Sequence, residues 1–249
     1  MRFINIKAEV DPVDYKAFAF PYKGVVFDMD GVLVDTEYLE QRYLEEYAID
    51  SGLDASDGER MALVGSSGAD FYGAIVRWWD RAGVPLDIAG ARASYAAYVK
   101  GEYTDNYQSV MNQGVPETLR ALKEMGVKVA LASSSSKKTI DKVLSDCKIA
   151  QLFDVVVSGE EFRQSKPNPE IYLHTLERLG LCADDCCCVE DSVPGITAGK
   201  AAGLTVLAKR EERFGFSQDS ADEIIDQIPD LLRRARGARG RLAVFWWVR

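Results

Sequence analysis

The sequence predicts an α/β fold, a parallel sheet between two layers of helices with an all-helical insert near its start. Short apolar runs of strand length alternate with segments of helical periodicity. Clusters of reactive side chains fall just after those runs, where open parallel sheets place their ligand crevices. Strand signals then vanish between Thr36 and about Gln108. The expectation is a three-layer, Rossmann-like core built from residues 1–36 and 108–249, with 37–107 inserted as a second domain.

The first strand is Val25-Val26-Phe27, and it ends in Asp28-Met29-Asp30-Gly31. The insert holds helical stretches from Glu37 to Ile49, Ala69 to Ala82 and Ile88 to about Tyr103, broken by Gly52, Gly65, Gly68, Gly83 and Pro85. Val115, Leu119 and Leu122 then share a helical face, and Gly126 ends that helix. Val127 to Ala132 is a buried strand that delivers Ser133-Ser134-Ser135. Ile140, Val143, Leu144 and Cys147 repeat the helical spacing, and Val155 to Ser158 is the next strand. In Ser165-Lys166-Pro167-Asn168-Pro169, Asn168 is placed to cap a helix opening on Pro169 and running to Leu179. The strand Cys186 to Val189 ends in Glu190-Asp191-Ser192, followed by a helix through Ala201, a stop at Gly203 and a strand from Leu204 to Ala208.

Two aspartates one residue apart after a strand suit phosphoryl transfer. One carboxylate can attack phosphorus while the other handles the proton, and Gly31, just after them, lets the backbone bend sharply. Taken singly, each cluster has an ordinary reading: Asp28-Met29-Asp30-Gly31 as a plain acidic loop or a calcium-type site, Lys166 as a loop lysine, the serines as a turn and helix start, and Glu190-Asp191 as charges favoured by the next helix. Their succession in this order is what the ordinary readings leave unexplained.

With these four motifs in order from about Tyr22 to about Leu232, the chain resembles the haloacid dehalogenase superfamily, and most closely its β-phosphoglucomutase-like branch of phosphatases and phosphomutases. The resemblance implies Asp28 as the nucleophile that becomes an aspartyl-phosphate. It implies Asp30 as general acid and base, with its backbone carbonyl on the metal. Ser133 is then the hydroxyl donor to the transferring group, and the Ser134 backbone N–H lies beside it. Lys166 holds phosphate and nucleophile together. Asp28, Asp30, Glu190 and Asp191 form the metal set, with Mg²⁺ as the cofactor. The physical chemistry agrees, because a phosphate dianion and a carboxylate repel each other until cations stand between them, and Mg²⁺ prefers oxygen ligands.

The same resemblance makes the insert a mobile cap over the core, with hinges near Asp35-Thr36 and Asn106 to Asn112. Gly65-Ser66-Ser67-Gly68 resembles the cap loop that faces the active site. Phosphomutase members carry an arginine where Gly68 stands and a histidine where Glu40 stands, so hydrolysis is favoured here over mutase chemistry. Arg42, Arg60, Arg77 and Lys100 are alternative cap cations. Trp78 and Trp79, beside Tyr72, are read in two ways, as a stacking surface for a sugar or base and, in preference, with one of them filling the cap's own small core.

Composition narrows the partners. A net charge of −9 argues against nucleic acid, and no apolar run is long enough to span a bilayer. Met1 to Phe20 lacks the apolar core of a signal peptide, so a cytoplasmic protein is expected, as a monomer or weak homo-oligomer. His174 is the single histidine, which excludes a multi-histidine metal site. Cys147, Cys182, Cys186, Cys187 and Cys188 read as free thiols, since consecutive strand residues face opposite ways and cannot converge on one ion. The basic run Arg233 to Arg241 and the apolar Leu242 to Val248 stay open among an edge strand, an oligomer contact and an added extension. Phe3 to Phe20 has no placement from the sequence beyond packing beside that tail.

The function expected is a Mg²⁺-dependent phosphatase for a small phosphorylated metabolite such as a sugar phosphate. Phosphomutase is the alternative among enzymes, and a phosphate-ligand binding protein is the alternative outside them. A pure binder has no need of the Asp28 and Asp30 pair, and dehalogenation has no need of an acid at Asp30.

Overall fold

Val25, Val26 and Phe27 are fully buried at the centre of a six-stranded sheet, and the rest of the chain is arranged around them. The computed structural model describes residues 15–63, 68–102 and 107–237. The cap-loop residues Gly65-Ser66-Ser67, the hinge residue Asn106, the leading segment before 15 and the tail from 238, with its apolar stretch, lie outside them.

In chain order the elements begin with β1 (Phe18–Ala19) and β2 (Gly24–Phe27). The helices α1 (Thr36–Asp50), α2 (Asp57–Met61), α3 (Gly68–Arg81) and α4 (Ile88–Glu102) follow. The chain returns through α5 (Val115–Glu124), β3 (Lys128–Ser133), α6 (Lys137–Asp146) and β4 (Val155–Ser158). It continues with α7 (Glu170–Leu179), β5 (Cys186–Glu190), α8 (Val193–Ala201) and β6 (Thr205–Lys209). It closes on β7 (Glu223–Ile225) and β8 (Arg236–Gly237).

The main sheet has the order β4-β3-β2-β5-β6-β7 and every pair in it is parallel. Building runs outward from β2 to β4 on one side, then restarts beyond β2 with β5 and runs to β7 on the other. The reversal opens a crevice between β2 and β5 at their carboxyl ends, the place where such sheets bind ligands.

Strand alternation divides the core. Val25, Phe27, Val129, Leu131, Cys187 and Val189 join one apolar cluster with Val115, Leu119 and Leu122 of α5 and Ile140, Val143 and Leu144 of α6. Val26, Ala130, Ala132, Cys186 and Cys188 join another with Ile171, Tyr172 and Leu176 of α7 and Ile196 of α8. Helices thus cover both faces, as the alternating pattern requires. The cysteines are all free; Cys182 alone is exposed, and the three consecutive ones point to alternate faces.

Serine caps fix two helix starts that matter for the site. Ser136 accepts from Thr139 N at 3.2 Å, and Ser192 accepts from Gly195 N at 3.2 Å, each satisfying an otherwise unpaired amide for about 1 kcal/mol. Asn168 does accept a backbone N–H, from Glu170 at 2.9 Å. The helix nevertheless starts at Glu170, with Pro169 in the cap position, one residue later than expected.

Helices α1, α3 and α4 match the three predicted stretches to within a residue or two at each end. The five-residue α2, with its Ser56–Glu59 capping box, was too short to show helical periodicity. These helices enclose their own cluster, in which Leu44, Tyr47, Ile75 and Trp78 are buried. Trp78 is fully buried, and Trp79 donates its indole N–H to the Tyr47 hydroxyl at 2.7 Å, so both tryptophans serve the packing of this unit.

The two connections between the units run side by side. Asp35 N donates to Val110 O at 2.8 Å, Asn112 N donates to Leu33 O at 2.9 Å, and Val34 bridges Met111 antiparallel. The Asn112 amide also donates to Gly31 O at 3.1 Å and Val32 O at 2.8 Å. The crossings form a bonded, two-stranded strap.

β7 and the pair β1–β8 were absent from the sequence reading because two or three residues give no periodicity to detect. Phe18 pairs with Gly237 and Ala19 with Arg236, so Phe18 and Ala19 lie beside the start of the tail. Among the described residues no helix is long and apolar enough to cross a membrane.

Candidate active site

Parallel register carries the reactive residues to one rim. Phe27 stands opposite Leu131 and Val189, so Asp28 leaves the sheet level with Ala132 and Glu190. Lys166 reaches the same point from the loop before α7. Its ammonium donates to Asp28 Oδ1 at 2.7 Å, Glu190 Oε1 at 2.6 Å and Ala132 O at 3.0 Å. These three bonds use its whole donor set.

Glu190 is completely buried and well supplied with donors. Lys166 and the Tyr172 hydroxyl both donate to Oε1, while Asp191 N at 3.3 Å and the Ser192 hydroxyl at 3.4 Å approach Oε2. Space for the carboxylate exists because residue 195 is glycine, since a Cβ there would lie 1.9 Å from Oε2. Gly31 makes the matching concession to Asp191. Its φ is +77°, and a Cβ there would lie 1.8 Å from Asp191 Oδ2.

One carboxylate oxygen each from Asp28, Glu190 and Asp191 lies within 4.8 Å of the others, and all three residues are buried. The electrostatics follow from crowding. Burial, helped by Glu190 and Asp30, outweighs Lys166 and pushes Asp28 up to about 7. Burial alone would lower Lys166, but the Asp28 and Glu190 carboxylates overcome it and hold the ammonium above its ordinary range. Burial and the Glu190 charge likewise push Tyr172 well up, so its hydroxyl remains a donor. Acid groups outnumber the single buried cation. A hard divalent ion fits this all-oxygen donor set and its excess negative charge, and Mg²⁺ matches both requirements.

Asp30 points to the other side of the rim. Its Oδ1 accepts from the Thr36 hydroxyl at 2.9 Å, and its Oδ2 accepts from the Ser135 hydroxyl at 2.8 Å and the Ser133 hydroxyl at 3.5 Å. Ser133 is fully buried and accepts from Ser135 N at 3.0 Å. Gly159 approaches so closely that a Cβ there would lie 2.9 Å from Ser134 Cα, which fixes the turn carrying Ser134. A cavity of about 420 Å³ opens beside Asp30, lined by Thr36, Leu39, Tyr107, Ser135, Lys138 and Lys142 among others.

Asp28, Lys166, Glu190 and Asp191 are therefore gathered into one cluster, with Asp30 and Ser133 bonded to each other beside it. Thr36, Ser135 and Tyr172 complete the geometry and were missed. Ser135 lay inside the quoted serine run, but Tyr172 carried only the signal of an apolar helix face. Of the cap cations, Arg60 bonds Ala55 O and the carboxylates of Glu45 and Asp57, and Arg42 pairs with Glu46, so both engage partners within the cap.

An acidic rim closed by one lysine at the switch point of a parallel sheet defines a phosphoryl-transfer type of site. Residues 22–203 match the model of the haloacid dehalogenase-like hydrolases, and the chain belongs to that family. It is 33% identical over 189 residues to the phosphorylated carbohydrates phosphatase of Thermotoga maritima, covering 73% of this chain and 82% of that one. It is 31% identical over 209 residues to the bifunctional riboflavin kinase/FMN phosphatase of Arabidopsis thaliana, covering 83% of this chain and only about half (54%) of that protein's length. A solved structure of a candidate β-phosphoglucomutase from Thermotoga maritima superposes with a TM-score of 0.71 at 25% identity, covering 84% of this chain and 96% of that one.

Proposed function

We propose that the protein is a Mg²⁺-dependent phosphatase of small phosphorylated metabolites, with sugar phosphates as the leading class. The observation that carries this reading is Lys166 held between Asp28 and Glu190, with Asp191 completing a buried carboxylate cluster. Similarity to a phosphatase of phosphorylated carbohydrates supports the substrate class.

In this reading Asp28 attacks phosphorus through a carboxylate oxygen, forming an aspartyl-phosphate as the bond to the leaving oxygen breaks. Asp30 gives that oxygen its proton, then takes one from the water that hydrolyses the acyl-phosphate. The Thr36 and Ser135 hydroxyls keep the Asp30 carboxyl oriented. Ser133 and the Ser134 N–H bind phosphoryl oxygens, and Lys166 screens nucleophile from phosphate. Asp28, Glu190, Asp191 and the Asp30 carbonyl would hold Mg²⁺, which supplies charge neutralisation when bound. Residues 37–107 act as the cap, and 1–36 with 108–249 as the core.

Gly68 and Glu40 leave those two cap positions without the positive charge a bisphosphate would require, which favours water as acceptor. The test is phosphate release from a panel of sugar phosphates, nucleotides and small esters, with Mg²⁺ or EDTA, for wild type and Asp28→Asn. Metal-dependent release lost in the variant supports the phosphatase. Silence on the panel, with turnover of β-glucose 1-phosphate in the presence of a bisphosphate, replaces it with a phosphomutase, the reading that the candidate β-phosphoglucomutase neighbour favours.

A further inference from the structure

Away from the reacting atoms, an ionic network joins the strap to the acidic loop. Arg213, in the segment between β6 and β7, donates from Nη1 to Asp35 Oδ2 at 2.9 Å and from Nη2 to Asp35 Oδ1 at 3.1 Å. The same guanidinium donates from Nε to Glu211 Oε1 at 2.9 Å and from Nη2 to Glu211 Oε2 at 2.5 Å. A single planar fork thus spans two carboxylates, a geometry that a lysine ammonium cannot reproduce.

Each carboxylate leads to a different part of the molecule. Asp35 caps α1 by accepting from Tyr38 N at 3.1 Å, and its own N–H ties the strap to Val110. Glu211 is almost wholly buried, and its backbone N–H donates to Gln218 Oε1 at 3.0 Å. Gln218 is buried as well. Its amide donates to Asp191 O at 2.6 Å and Lys209 O at 2.8 Å, so every polar atom of the side chain has a partner. The path from Asp35 through Arg213, Glu211 and Gln218 to Asp191 is continuous.

We infer that Arg213 is a positioning residue that couples the cap hinge to the acidic loop, holding the start of α1 and the Asp191 carbonyl in register. The inference rests on the cap and Mg²⁺ readings above. Opening the cap at the strap must carry Asp35 with it or break its bonds to Arg213, and either change is felt at Glu211 and thence at Gln218. Without Arg213, a buried Glu211 loses its guanidinium partner, and Gln218 loses the anchored neighbour that sets its orientation.

The test compares wild type with Arg213→Gln and Arg213→Lys in the full chain. Three quantities are read: the Mg²⁺ dissociation constant by calorimetry, amide exchange at Tyr38, and kcat and KM for the best ester of the panel. Arg213→Gln is expected to weaken Mg²⁺ binding about tenfold, the scale seen when partners behind metal ligands are removed. It is also expected to speed exchange at Tyr38, and Arg213→Lys is expected to recover only part of either loss. Should Arg213→Gln fold poorly, the neutral double variant Arg213→Gln with Glu211→Gln removes the buried charge and is held to the same expectations. A folded variant with unchanged Mg²⁺ affinity and unchanged Tyr38 exchange overturns the coupling. If wild type binds no Mg²⁺, amide exchange at Glu211, whose N–H donates to Gln218, is read in its place: faster exchange there in Arg213→Gln supports the coupling and unchanged exchange overturns it. Absence of phosphate release by wild type sinks the phosphatase reading alone, because affinity and exchange are measured without turnover.

Discussion

Lys166 donates to Asp28 at 2.7 Å, yet burial, helped by the neighbouring Glu190 and Asp30 charges, outweighs the lysine and pushes Asp28 up to about 7. The proposed nucleophile is held at a cost to the metal-free fold. In the unfolded chain Asp28 ionises near 3.8, whereas in the fold it keeps its proton until about 7. Its contribution to stability is therefore full below about pH 4 and is lost as pH rises to 7.

Asp28→Asn removes this loss. In EDTA, the Tm of the variant should exceed that of wild type by an amount that grows between pH 4 and 7 and levels off above 7, while turnover disappears. A calorimetric pH series checks this. A constant Tm difference across the series would mean that Asp28 is not strained by burial.

Asp30, held by the Thr36 and Ser135 hydroxyls, should matter in proportion to how poor the leaving group is. Asp30→Ala should cost about 10²–10⁴-fold in kcat on alkyl and sugar phosphates and much less on an activated aryl phosphate. Equal losses on both substrates would remove the acid role.

Gly195→Ala places a methyl group against the Glu190 carboxylate, which is locked by Lys166 and Tyr172 and cannot step aside. On the proposed function, Mg²⁺ should raise the Tm of wild type and not that of the variant, which should also lose more than tenfold in kcat/KM, on the scale of a disturbed metal site. Tyr172→Phe leaves a buried carboxylate short of one donor and should cost about 1–3 kcal/mol in denaturant unfolding.

The thiols give a further check on burial. Burial, with Asp146 and Asp185 respectively, pushes Cys147 and Cys186 up to about 11, and burial raises Cys187 and Cys188 as well. Only Cys182 should react with a thiol reagent in the native protein at pH 8, and all five should react in denaturant. Neutral thiols favour the fold below pH 9, so stability should fall as pH rises from 9 through about 11.

How much of this was legible in the sequence depends on how local the signal is. Asp28 and Glu190 each end an apolar run and Lys166 precedes Pro167 in a segment rich in turn residues, and their succession along the chain, rather than any one of them, made them legible. Tyr172 occupies an apolar position of α7, and its hydroxyl finds Glu190 only through helix–sheet packing. Gln218 lies in a connection with no periodicity, and Arg213 in a charged run that reads as solvated surface. Their roles arise from contacts at long sequence separation, such as the 178 residues between Arg213 and Asp35, which no window along the chain contains.

The strand order has a consequence for how the protein is made. β2 is made before both strands that flank it, and those two are supplied at very different times, β3 from 128 onward and β5 only from 186. Lys166 follows Asp28 by 138 residues. On the proposed function, a chain that stops short of residue 166 carries the nucleophile Asp28 without Lys166, Glu190 and Asp191. On that reading the cluster is complete only once β5 and Asp191 have been made, so a chain cut before them should release no phosphate.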